Sequence, residues 1–295
     1  MRQETKPKNS KSSSSVPMRE VFTVDSFANG IAFGSQKIEI GDDPRAELYL
    51  RLKDEASVVP IRSRYVLHKN NPLHELELNL MSLSQQGILA RSIIYLGTST
   101  DPFHPFDGKF DASMRFLQLF LRYTPGLLVV QTRSPLIVLA MPVLKRLGEH
   151  ASVTMAIETN SEEVARKYTP NLPKVSERLQ AARALRRFGV EVTLQVAPLL
   201  PYGDWRAEAG NFAELLVENS DFLSVRPLIS KSDLEQRRNA GGTLAKALAR
   251  DRKFHWLRPD AAIPVIEQIE RLAPEKLHMP LRKHLGEKQL NMFAA

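Results

Sequence analysis

From residue 71 onward the chain alternates two hydrophobic periods. Apolar runs at 92–96, 127–134, 152–159, 190–198 and 222–229 read as strands, and the stretches 72–86, 112–123, 136–149, 174–188 and 207–219 between them carry helical spacing. Gly189 follows directly on 174–188 and marks its end, because glycine enters left-handed backbone without strain. Strand and helix succeeding one another through short loops predict a parallel sheet with right-handed crossovers.

Within those strands the side chains divide into two faces. Val153, Met155 and Ile157 share one side, and Thr154, Ala156 and Glu158 the other; Val190, Val192, Leu194 and Val196 oppose Glu191, Thr193, Gln195 and Ala197; Leu223 and Val225 oppose Ser224 and Arg226. A parallel strand sandwiched between helix layers is apolar on both faces, so a polar face implies a lumen or pocket. The expected fold is α/β, an incomplete (β/α) barrel. Its carboxyl strand ends would bring Thr98, Ser99, Asp101, Ser134, Glu158, Thr159 and Arg226 to one mouth, where barrels place their sites.

The rest of the chain is less regular. Residues 1–17 form a Ser- and Lys-rich tail too polar to order itself. Residues 18–70 read as an N-terminal extension with strands at 20–24 and 36–40 and a short helix at 44–55. The core spans 71–230, a basic and mostly helical region 231–288, and a flexible tail 289–295. No apolar run approaches the ~18 residues of a membrane span, and the amino-terminal stretch lacks the apolar centre of a secretory signal. A cytoplasmic protein that avoids membranes is expected.

Charge sharpens this picture. Of a formal net +8, residues 1–20 carry +3 and residues 231–258 carry +5, leaving the remainder neutral. Positive charge beside Phe254, His255 and Trp256 suits a polyanion, since Lys and Arg release counterions and aromatic rings stack on exposed bases. Arg237, Arg238, Arg250, Arg252, Lys253 and Trp256 are therefore candidate nucleic-acid contacts; a solvated helix face with one half-buried Trp is the alternative.

At the mouth, GTSTDP (97–102) offers Thr98, Ser99, Thr100 and Asp101. Two readings stand: a ligand loop, with hydroxyls and a carboxylate for an ammonium or sugar, or a turn in which Thr and Asp cap the next helix. Glu158, costly on a lumen face unless partnered, is either half of an ion pair with Arg226 or a candidate acid or base. The seven histidines have no metal-ligand spacing, and no nucleophile elbow or Walker loop is present.

The runs YLGTSTDPFHP (95–105), LLVVQTRSPLIV (127–138) and the segment 152–201, with SVTMAIETNSEEVARKY leading into VEVTLQVAPLLP, closely resemble the spore photoproduct lyase-like branch of the radical S-adenosylmethionine superfamily over about residues 90–230. The resemblance implies a partial (α/β)6 TIM-like barrel and an S-adenosylmethionine pocket at its carboxyl mouth. In that pocket 97–101 would face the methionine amino group, and Ser134, Glu158 and Thr159 would line the remainder. It also implies an association with DNA repair. The family's Thr-Lys-Ser stands here as Thr132-Arg133-Ser134, keeping a charge but changing its shape and donors.

One departure decides the chemistry. Family members hold a four-iron, four-sulfur cluster with three cysteines in a loop near the start of the barrel, and these 295 residues contain no cysteine. Such clusters require soft thiolates. No metal and no cluster are expected, with SFANGIAFGSQ (26–36) in the vacated place. The resulting expectation is a degenerate relative without radical catalysis, an accessory protein of nucleic-acid metabolism. The alternatives are a lyase whose cluster a partner supplies and a cluster-free barrel enzyme using Glu158. Finally, Gln289, Leu290, Met292 and Phe293 resemble the short peptides that dock on the bacterial sliding clamp; packing on the chain's own barrel is the other reading.

Overall fold

The structure, a computed structural model, describes residues 18–27, 30–39, 66–68, 72–98, 101–104, 109–229 and 242–277. The apolar runs form the strands expected of them: β4 (Ile93–Leu96), β5 (Leu127–Thr132), β6 (Ala151–Ala156), β7 (Glu191–Val196) and β8 (Phe222–Val225). Ahead of these come β1 (Met18–Phe27), β2 (Gly30–Glu39) and β3 (Val66–His68). Together they make one sheet in the order β3-β2-β1-β4-β5-β6-β7-β8. β1 pairs with β4 in parallel, so a run of parallel strands extends from β1 to β8, while β2 and β3 add antiparallel edges. The 18–70 stretch thus contributes the first parallel strand of the sheet. Among the described residues the two outermost strands do not meet, and the far side of β8 carries a single bridge, from Leu223 to Leu277. This is an open, partial α/β barrel.

Helices follow the strands: α1 (Pro72–Gln85), α2 (Lys109–Arg122), α3 (Met141–Leu147), α4 (Glu162–Tyr168), α5 (Val175–Arg187), α6 (Ala209–Glu218), α7 (Thr243–Arg250) and α8 (Ile263–Leu272). The helix expected over 136–149 is divided. A 3-10 turn covers Pro135–Ala140 and α3 starts at Met141, because Pro142 lacks an N–H and is tolerated only in a helix's first turn. α4 was hidden by its length of seven residues. It is begun by Ser161, whose Oγ accepts from the Val164 nitrogen at 3.3 Å. Its Glu162 then accepts from the Val175 and Ser176 nitrogens, at 3.2 and 2.7 Å, and so caps α5 as well.

Period-two alternation decides which side chains meet the helices. Ile94, Leu96, Leu128, Val130, Val153, Met155, Val192 and Leu194 pack against Leu80, Phe116, Leu179 and Phe212 of the helical layer. Each such buried side chain contributes about 1.5–3 kcal/mol. On the opposite face Ile93, Tyr95, Leu127 and Val129 form a small apolar floor. Above it the face turns polar, as the strand patterns predict. Gln131, Thr154 and Thr193 lie in one register row and Gln195 and Ser224 in the next, all buried. Among the described residues no helix is long and apolar enough to cross a membrane. The expected helix at 44–55 and the segments 1–17 and 289–295 lie outside the described residues.

Candidate functional site at the carboxyl strand ends

β4 leaves the sheet at Gly97, whose φ of +93° puts it in the region that favours glycine. A Cβ there would stand 2.5 Å from Pro102 Cδ and 2.6 Å from the Gln131 carbonyl oxygen, so the turn packs directly on β5. Asp101 then binds back. Its carboxylate accepts from the Phe103 nitrogen (2.9 Å), Thr132 Oγ1 (2.7 Å) and the main-chain nitrogen of Arg133 (2.7 Å). Thr132 Oγ1 in turn accepts from the Ser134 nitrogen at 2.9 Å, and Ser134 Oγ accepts from Leu136 at 3.3 Å, capping the 3-10 turn. Asp101 is thus the tie between two strand ends; its described partners lie in its own turn and at the end of β5, not at the start of the next helix, α2.

At the end of β6 Glu158 is fully buried, and its partners are two arginines. Arg133 Nε donates to Oε1 at 2.9 Å and Arg178 Nη1 to Oε2 at 2.6 Å. Arg178, the largest fully buried side chain among the described residues, also donates through Nη1 to the Ala156 carbonyl (2.6 Å) and through Nε to the Pro173 carbonyl (3.1 Å). These bonds fasten the start of α5 to the end of β6. The sequence pointed to Arg226 as the partner of Glu158; instead Arg226 sits half-buried on the β8 exit, its main-chain nitrogen bonded to the Val196 carbonyl. Burial by itself would raise the Glu158 carboxyl, but the fields and hydrogen bonds of Arg178 and Arg133 outweigh it and bring it to about 2. A group ionised so firmly, with both oxygens held, does not exchange protons near neutral pH. Thr159 is likewise engaged: its hydroxyl donates to the Pro201 carbonyl (2.6 Å) and accepts from the Ser161 nitrogen (3.1 Å).

The carboxylates at the mouth are thus held by the chain itself. Glu158 meets the guanidiniums of Arg133 and Arg178, while Asp101 is held by Thr132 Oγ1 and the main-chain nitrogens of Phe103 and Arg133. Sequence reading missed Arg178 because it belongs to an outer helix and points inward. The signal available was an arginine at a position where its neighbours Val175, Leu179 and Ala182 form the buried stripe. Of the other residues expected in the pocket, Thr98 is half-buried, and Ser99 and Thr100 lie outside the described residues.

This donor set can be tested against the groups the family resemblance implies. An iron–sulfur cluster does not fit: there is no cysteine, and among the described residues no group of three His, Asp or Glu could hold a metal. The segment 26–36, expected where the cluster loop would be, belongs to the hairpin that pairs Ser26 with Ile31 and Phe27 with Gly30, which leaves no long loop there. Toward the methionine end of S-adenosylmethionine, the carboxylates expected in the pocket are already engaged: Glu158 by Arg133 and Arg178, and Asp101 by Thr132 Oγ1 and the main-chain nitrogens of Phe103 and Arg133.

Of the expected nucleic-acid contacts, Trp256 is 3% exposed and packs edge-on against Tyr202 at 4.7 Å, so its ring belongs to the core. Arg250, Arg252 and Lys253 are exposed. Arg237, Arg238 and the 289–293 peptide lie outside the described residues.

No family model and no curated protein matches this chain. Among solved structures it is similar in fold to a spore photoproduct lyase mutant, with 14% identity and a TM-score of 0.44 over 60% of this chain and 51% of that one. A spore photoproduct lyase mutant with bound AdoMet and dinucleoside spore photoproduct gives 14% identity and 0.44 over 63% and 53%. A radical S-adenosylmethionine methyltransferase from Kitasatospora setae gives 14% and 0.38 over 56% and 32%. The chain spans about half the length of the lyase structures it matches. The roles of residues in this chain rest on its own geometry.

Proposed function

We propose that this chain is a cluster-free protein on a partial radical S-adenosylmethionine-type barrel, acting in the cytoplasm as an accessory factor of nucleic-acid metabolism, of the DNA-repair class, and not as a radical enzyme. The observation that carries this reading is a chain without the thiolates a cluster needs, whose mouth carboxylates are already held: Glu158 by two arginines, Asp101 by Thr132 and two main-chain nitrogens. Binding as the remaining activity is supported by the uneven charge, with +5 concentrated in residues 231–258. A polyanion gains affinity there through counterion release.

Fluorescence anisotropy with labelled DNA and RNA over a salt series tests the reading. The logarithm of the association constant is expected to fall linearly with the logarithm of salt concentration. Absent or salt-independent binding removes the nucleic-acid role.

A further inference from the structure

Beside the mouth, on the loop that leaves β7 for α6, lies a cluster of rings and cations outside the Glu158 network. Trp205 is held by its indole N–H, which donates to the Ala261 carbonyl at 2.9 Å, and by Tyr202, whose hydroxyl donates to the Trp205 carbonyl at 2.6 Å. His255 stacks on it with ring centres 5.3 Å apart and planes 15° from parallel. The guanidiniums of Arg206 and Arg258 stand over the same indole at 5.1 and 5.6 Å. The short turn Phe254–Leu257 sorts its aromatic residues by side: Trp256 goes into the core, while His255 is exposed and Phe254 is 58% exposed.

The chain enters this turn through an unusual residue. Arg252 has φ +56°, a conformation that glycine normally supplies at the end of a helix. There its nitrogen donates to the Ala249 carbonyl and that of Lys253 to the Leu248 carbonyl, closing α7. Arg252 and Lys253 are both exposed and enter no ion pair among the described residues. The adjacent acid, Asp251, is occupied by Lys167, Tyr168 and Arg250. A flat ring stack with its outer ring open, next to uncompensated cations, matches a ligand that has π-faces and phosphates in alternation.

We propose that Trp205 and His255, with Phe254 beside them, form a base-stacking platform for single-stranded nucleic acid, whose phosphates meet Arg252 and Lys253. The proposal rests on the nucleic-acid reading above and names its contact surface. An acidic peptide would use the cations but has no use for the stack.

The test uses the full chain, with labelled oligo-dT and oligo-U of about a dozen nucleotides, the scale of one stacking groove, and a duplex of equal charge. His255→Ala, at an exposed position, and Trp205→Ala are each expected to weaken single-strand binding about fivefold to a hundredfold, with the duplex less affected. Arg252→Gly relieves the left-handed backbone, so its melting midpoint should rise while binding weakens and the salt slope falls by about one. That combination cannot come from unfolding. DNA and RNA arms tell which strand is preferred. If the unmodified chain binds single strands but His255→Ala and Trp205→Ala bind equally well, the platform is refuted and the nucleic-acid reading stands. Binding of polyglutamate as strong as that of the oligonucleotides also refutes the platform. If the unmodified chain binds no nucleic acid, both fall.

Discussion

Glu158→Gln is the sharpest perturbation of the buried mouth. The substitution keeps the size of the side chain and an acceptor oxygen but removes the carboxylate that bonds the side chains of both Arg133 and Arg178, which lie 2.9 and 2.6 Å away with side-chain exposures of 8% and 0%. Removing one partner of a buried pair costs about 3–5 kcal/mol, because the charges left behind stay desolvated. Titration gives a second route to the magnitude. Bringing the carboxyl from 4.5 down to about 2 corresponds to about 3 kcal/mol at neutral pH. The folded carboxyl is the stronger acid, so this contribution is complete above the unfolded value of 4.5 and is lost as pH falls toward 2. Urea unfolding followed by circular dichroism at pH 7 should therefore show a loss of about 3 kcal/mol. The melting midpoint should fall by about 5 °C, and the steep acid destabilisation of the parent between pH 4.5 and 2 should flatten. Glu77→Gln is the control. Its pair with Arg122 is as short, 2.6 Å, but the arginine side chain is 68% exposed, so its loss should cost at most about 1 kcal/mol. If Glu158→Gln is as mild as Glu77→Gln, the network does not hold the mouth together.

Three further outcomes follow from the same geometry. Gly97→Ala should cost more than about 2 kcal/mol, whereas Gly189→Ala, also left-handed at φ +86° but with nothing within 4 Å of its Cβ, should cost about 1 kcal/mol; equal losses in urea unfolding would contradict the close approach of β4 to β5. Calorimetric titration of S-adenosylmethionine is expected to give no saturable heat below about 1 mM, and micromolar binding would show that Asp101 and Glu158 release their partners for a ligand. A synthetic peptide spanning 289–295 is expected to bind a bacterial sliding clamp and to lose binding when Leu290 and Phe293 become Ala; equal binding by the two peptides would discard that segment as a docking motif.

The helix-facing core and the five strands β4 to β8 were legible because period-two alternation is dictated by burial on a sheet, and Val153, Met155, Val192 and Leu194 follow it without exception. The polar inner face was legible for the same reason. β1 was less so: its place in the sheet is set by parallel pairing to β4, some seventy residues away in sequence, and local pattern does not encode a partner. At the mouth, sequence located the right strand ends but not their pairing. Glu158 had to be compensated, yet which arginine reaches it depends on how α5 packs, and Arg178 lies 20 positions further on. Trp256 was misplaced on similar grounds: a basic neighbourhood says nothing of which ring in the 3-10 turn Phe254–Leu257 faces inward.

The central claim is that the carboxylates at this barrel's mouth are held by the chain's own residues and that the barrel holds no electron-donating cluster. Iron and acid-labile sulfide counted per chain after anaerobic reconstitution, together with an assay for 5′-deoxyadenosine, test it most directly. The account predicts background iron, no cluster absorbance and no 5′-deoxyadenosine. A stoichiometrically iron-loaded chain that cleaves S-adenosylmethionine unaided would contradict it.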